Sequence, residues 1–155
     1  MTSAPPTTAE AATAAGITLG LKTRTLDVSD DPDYEPAFRT ARSGGAQAVL
    51  VLPSPALNAD RRQLIDLAAR YHLPTAYEFR SYVEDGGLLS YGVNIPAMCR
   101  RAARYVDRIL KGAQPSDLPI ERASTFELAI NLKTARALGL TIPPSLLVRA
   151  DHIVE

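Results

Sequence analysis

Tryptophan is missing from this sequence, cysteine occurs once, and neither sign of charge is in excess. The lone Cys99 excludes an intramolecular disulfide and any zinc site built on cysteines. Lys+Arg and Asp+Glu are balanced at 17 each, so no overall field draws the chain to nucleic acid or to an anionic membrane surface. No apolar run approaches the roughly 20 residues of a membrane span. The opening MTSAPPTTAE has no Lys or Arg and no apolar run, so as written it is not a secretory signal. Residues 1–7 read as a disordered tail.

Catalytic and cofactor signatures are equally scarce. G-x-G-x-x-G is absent, and Gly92 is followed by Val-Asn-Ile with no P-loop lysine, so the glycines of GGLLSYG do not cradle a phosphate. Asp30, Asp31 and Asp33 imitate part of a calcium loop but lack its glycine and bidentate glutamate, and are read as capping residues. His72, at a helix end, is read as a helix-terminal cation or solvated side chain, and His152 as part of a flexible end. Cys99 is read as a small buried hydrophobe. No nucleophile, acid or base stands at a recognisable spacing, so no enzyme, metal or cofactor is expected.

What is present is an alternation of two periods. A chain of 155 residues, 46% hydrophobic, suffices for one domain, here residues 8–155. Thr8–Leu19 is Ala-rich and favours helix, with Gly20 as terminator before a short strand, Leu21–Val28. Ser29–Asp33 is a turn and cap cluster, and Pro36 starts a helix to about Arg42. The run AQAVLVLP, with its strand at Val49–Leu52, reads as a parallel strand buried on both faces. Asn58 is placed as the cap of a helix to about Tyr71, with Leu64, Ile65, Leu67 and Ala68 as its apolar stripe. LPTAYEF is the next strand, and Leu88–Tyr91 follows the Gly86-Gly87 turn. Asn94 caps a helix to Lys111, whose Ile95, Met98, Ala102, Tyr105, Val106, Ile109 and Leu110 oppose a basic face of Arg100, Arg101, Arg104, Arg108 and Lys111. A strand around Phe126–Ile130, a helix ending at Gly139 and a proline break before a last short helix complete the chain. Such alternation predicts an α/β fold, a three-layer sandwich with a mostly parallel sheet.

In open parallel sheets ligands lie beyond the carboxyl ends of the strands. Here those ends hold Pro53 and Ser54, Tyr77 and Glu78, and Tyr91 and Gly92. Ser54 and its amide suit a carboxylate, Tyr77 and Tyr91 an aromatic or apolar body, and Glu78 an ammonium group. For the two tyrosines and Ser54, plain packing and turn roles stand as the alternative.

The stretch from GGLLSYG through YVDRILKG, TFELAINLKTARALGL and IPPSLLVRAD closely resembles the C-terminal end of ABC-transporter substrate-binding proteins of the tryptophan/tyrosine-type family. Upstream, GAQAVLVLPSP and LAARYHLPTAYEFRSYVEDGG fit as well, so the likeness covers about Thr8 to Glu155. The resemblance implies one lobe of a type I periplasmic-binding-protein fold, a small organic or amino-acid-like ligand between two lobes, and delivery to a membrane permease. It implies work in the periplasm or outside the cell. Relatives carry an N-terminal lobe and a signal before these motifs, so a truncated relative is expected, cytoplasmic if Met1 is its native start. In such relatives the 95–111 helix crosses to the other lobe. Left uncovered here, its stripe leads to the expectation of a homodimer. A lone lobe turned self-associating or regulatory module is the alternative to solute binding.

Overall fold

In the computed structural model of the chain, the Thr7 hydroxyl accepts from the Glu10 amide and the Glu10 carboxylate accepts from the Thr7 amide. This reciprocal cap starts α1 (Thr8–Thr18), and Gly20, at φ 70°, turns the chain out of it. The structure describes residues 7–28 and 33–155. Of the expected tail only Thr7 falls among them, and it belongs to the helix cap. The strand expected at Leu21–Val28 does not form: these residues join no ladder. A strand needs a neighbour to satisfy its backbone, and among the described residues none lies alongside.

α2 (Glu35–Ser43) carries Pro36 in its first turn, and the Asp33 carboxylate accepts from the Glu35 amide at 3.1 Å. Asp30 and Asp31 lie outside the described residues. β1 spans only Val49–Leu50, and it is an edge strand rather than one buried on both faces, with Leu50 58% exposed. Pro55 starts a helix earlier than expected, so Asn58 lies inside α3 (Pro55–Ala59) instead of capping α4 (Arg61–Arg70). β2 (Thr75–Tyr77), a short α5 (Arg80–Glu84) and β3 (Leu89–Val93) follow. Then come α6 (Ile95–Leu110), a 3-10 turn at Pro115–Asp117, β4 (Phe126–Asn131), α7 (Leu132–Ala137), α8 (Pro144–Leu147) and β5 (His152–Val154). The last strand was not foreseen; three residues after two prolines and a helix carry too little periodicity to announce it. His152 is thus part of the sheet, not of a flexible end.

The sheet runs β1-β2-β3-β4-β5, parallel except between β3 and β4. Its core lies on the face that receives α4 and α5, where Leu64, Ile65, Leu67 and Ala68 meet Leu73, Tyr77, Tyr82, Tyr34 and Phe38. Asn131 is buried there, its amide donating to the Val83 carbonyl at 3.1 Å while its side-chain oxygen caps α7 at Thr134. On the opposite face Leu128 and Ile130 are buried, but Leu50, Tyr91, Phe126 and Ile153 stand exposed. α6 buries none of its residues. Cys99, expected inside, is exposed with the rest of that helix.

Candidate ligand-binding edge

Parallel register carries β1, β2 and β3 to the same sheet edge, and with them the segments that follow: 53–58, 77–80 and 90–94. β4 runs the other way, so its first residues, Phe126 and Glu127, join that edge beside Val93 and Gly92.

Glu78 sits at the centre. Gly92 lies so close that a Cβ there would meet the Glu78 carbonyl oxygen and stand 3.0 Å from the Glu78 Cγ. Only glycine lets the two strands approach in this way. One Glu78 carboxylate oxygen is buried without a hydrogen-bond partner among the described residues, and loss of solvent raises the carboxyl above the usual glutamate range. Asn58, in α3 after β1, likewise holds its side-chain oxygen buried without a hydrogen-bond partner among the described residues. The charges of Arg61 and Glu78 both reach the Tyr82 hydroxyl, which burial pushes up to about 12.

Beside this pair stands a bracket that sequence reasoning did not identify. Asn94 caps α6 through its side-chain oxygen to the Ala97 amide at 2.8 Å, and its amide nitrogen donates to Glu127 at 2.7 Å. Its backbone N–H reaches the Thr125 carbonyl at 3.1 Å, tying the outgoing and returning chains together. Arg80 stands 4.0 Å from Glu127 and bonds Glu84 at 2.8 Å; His152 lies 4.0 Å from Glu84. Only the cap at Asn94 was legible beforehand, because Asn before Ile-Pro is a local signal while Glu127 is 33 residues away.

The sequence-predicted residues divide. Glu78 and Gly92 touch. Ser54 is half-buried at the start of α3 with no side-chain capping bond, and Pro53 before it is exposed. Tyr77 and Tyr91 part company: Tyr77 pairs in register with Ser90, so Tyr91 points to the opposite face. Tyr77 is 2% exposed, stacked on Tyr82 with ring centroids 4.4 Å apart, and burial raises its hydroxyl. Its ring is core packing, not an open stacking platform. Tyr91 is 59% exposed and stacks on Phe126 at 5.9 Å, a paired aromatic surface at the rim.

A groove of about 470 Å³ starts at Val93 and Asn94 of this edge and runs away from Glu78 between α6 and residues 115–125, with Met98, Ala102, Tyr105 and Ile109 on one wall and Leu118 and Ile120 on the other. Arg101 pairs with Glu121 and the Tyr105 hydroxyl donates to the Pro119 carbonyl at 2.7 Å, holding the helix to the irregular segment that leads back to β4. Among the described residues no group of His, Cys, Asp and Glu is arranged to hold a metal, and no helix is long and apolar enough to cross a membrane.

In comparison with protein families, residues 6–154 match the model of the ABC transporter substrate binding protein family. This chain belongs to that family. Substrate-binding proteins of this kind hold solutes rather than transform them. Among curated proteins no significant relative was found. A conserved domain protein from Vibrio cholerae is similar in structure at TM-score 0.82 and 26% identity. An ABC domain from Streptococcus pneumoniae, solved in complex with L-Trp, is similar at TM-score 0.83 and 25% identity. Each match covers 94% of this chain and 49% of the other, so the chain spans about half the length of these solved relatives. CD0873 of Clostridium difficile, a substrate-binding protein with adhesive properties solved ligand-free and open, shares the fold at TM-score 0.67 and 16% identity.

Proposed function

We propose that this substrate-binding chain takes a small, amino-acid-like organic solute at the carboxyl edge of its sheet and serves an ABC importer, handing the solute to a membrane permease. Its place of work is that of the family, periplasmic or extracellular. The observation that carries the reading is the Glu78 carboxylate, with one buried oxygen lacking a donor, on a backbone that packs directly against Gly92. A buried acceptor without a partner is costly, and a ligand ammonium group would supply the missing N–H. Ser54, through hydroxyl and amide, suits the ligand carboxylate; Tyr91 with Phe126 suits its apolar or aromatic body. Pro53 and Gly92 shape the rim, and Tyr77 supports Glu78 from beneath. The L-Trp held by the pneumococcal relative is a ligand of this chemistry.

Calorimetry against L-amino acids, with L-Trp among them, tests the assignment. The expected result is saturable binding that weakens about 10–100-fold in Glu78→Gln, the worth of a hydrogen bond to a charged group. Absence of binding, or binding indifferent to this change, would overturn it.

A second reading is favoured by one observation: the apolar stripe of α6 stands uncovered, with Val106 and Leu110 exposed. Apolar surface of this kind is rare on monomers. In this reading the lobe associates with a second copy, as a homodimer or as a regulatory module. Light scattering at the mass of a single chain, 16.7 kDa, at high concentration would exclude it.

A further inference from the structure

Two polar atoms buried without a hydrogen-bond partner among the described residues stand on segments that follow neighbouring strands: the Asn58 side-chain oxygen after β1 and a Glu78 carboxylate oxygen after β2. Both are acceptors. Arg61 ties the two places together, since its guanidinium donates to the Asn58 carbonyl at 3.4 Å, and its charge and that of Glu78 converge on the Tyr82 hydroxyl. The cations beside them are already engaged, Arg61 with Asp85 at 2.6 Å and Arg80 with Glu84 at 2.8 Å. Local structure does not use the Asn58 oxygen either: the residue lies inside α3, not at its cap. A pair of buried acceptors is satisfied by a group that brings several N–H donors at once, and most strongly when that group is charged.

We propose that Asn58 is a specificity-determining residue of the ligand site, its side-chain oxygen the second acceptor beside Glu78 for a primary ammonium group. The inference rests on the ammonium reading of Glu78 and deepens it by naming the ligand class: a solute with an unsubstituted amino nitrogen. A primary ammonium carries three N–H groups, enough to serve both oxygens together. A dimethylated nitrogen keeps the positive charge but has a single N–H, so one acceptor stays unpaired and its desolvation is not repaid. Charge attraction at Glu78 does not tell these two nitrogens apart. The second acceptor does, because it responds to the number of donors and not to the charge.

The test is calorimetry with L-Trp, L-Tyr and L-Leu and with their N,N-dimethyl derivatives, on wild type, Asn58→Leu, Asn58→Asp and Glu78→Gln. Wild type is expected to bind at least one free amino acid, and its dimethyl derivative about 10–100-fold more weakly, a readout that needs no variant to fold. Asn58→Leu should weaken the free amino acid by a similar factor and lose most of that discrimination. Asn58→Asp keeps the shape and the acceptor, and should bind as tightly as wild type or more so. A merely structural role at Asn58 would weaken both forms alike and leave the discrimination intact. Discrimination that survives Asn58→Leu, or Asn58→Asp as weak as Asn58→Leu, overturns the assignment, while a continued loss in Glu78→Gln leaves the ammonium reading standing. Loss in Asn58→Leu with none in Glu78→Gln overturns the reading on which the pair rests. A wild type that binds none of the three amino acids overturns both.

Discussion

α4 buries Leu64, Ile65, Leu67 and Ala68, whereas α6, six residues longer and with an apolar stripe of its own, buries nothing. Both helices obey the same 3.6-residue spacing, so the stripe marks what a helix is able to bury. Burial depends on what stands opposite. α4 faces Tyr77, Tyr82 and Phe38 across a finished interface, while α6 is held by its cap at Asn94 and by Arg101 and Tyr105 reaching the irregular segment before β4. One end of the lobe is a core; the other is a surface shaped like half of one.

Truncating each helix breaks or sharpens this contrast. Leu64→Ala should cost about 3–4 kcal/mol in denaturant unfolding, a lost transfer term plus a cavity. Val106→Ala, on α6, should stay within about 0.5 kcal/mol. Equal costs would mean that α6 is packed in solution. Next in size, Gly92→Ala forces a methyl into the Glu78 backbone and should cost about 2–3 kcal/mol by the same measurement. Gly112→Ala, with nothing within 4 Å of its Cβ but a φ of 99°, isolates the effect of backbone strain from that of the clash.

These residues also show how far the sequence is readable. Short-range signals were legible: Asn94, Pro36 and Gly20 each act within a few residues and end or start a helix where expected, whereas the Thr7–Glu10 cap fell in the expected tail and was not read. The alternation of strand and helix led to a mostly parallel α/β lobe. The resemblance supplied the family. Exposure was not legible, because AQAVLVL is the same string whether or not a strand lies beside it. Thus β1 became an edge and Leu21–Val28 no strand at all. Within the site, carboxyl-end placement pointed to Glu78 and Gly92, yet nothing local told that Tyr77 faces the core and Tyr91 the open side, since one residue of register reverses the face. Glu127 was invisible because its partner is Asn94, far away in the chain.

Asn94→Ala should cost about 1–2 kcal/mol, since it uncaps α6 and takes a donor from the buried Glu127. Amide exchange in the first turn of α6 should quicken while α4 is unchanged. A parallel loss of protection in α4 would show that the two regions are one cooperative unit. The smallest effect is expected at Glu78, where desolvation raises the folded carboxyl above its ordinary value of 4.5. The protonated form then favours folding. Its contribution is full below 4.5 and is lost as pH rises through the folded value. Glu78→Gln should therefore raise the Tm at neutral pH and match wild type in acid. A lower Tm at neutral pH would mean that the carboxylate is paired after all.

Amide NMR of the 15N-labelled chain, titrated with L-Trp, tests the location of the ligand most directly. Saturating shifts centred on Ser54, Glu78 and Gly92, with Tyr91 at their margin and the groove under α6 unmoved, are the predicted result. Shifts confined to Met98, Tyr105 and Ile120, or no shift at any residue, would contradict a solute site at the carboxyl edge.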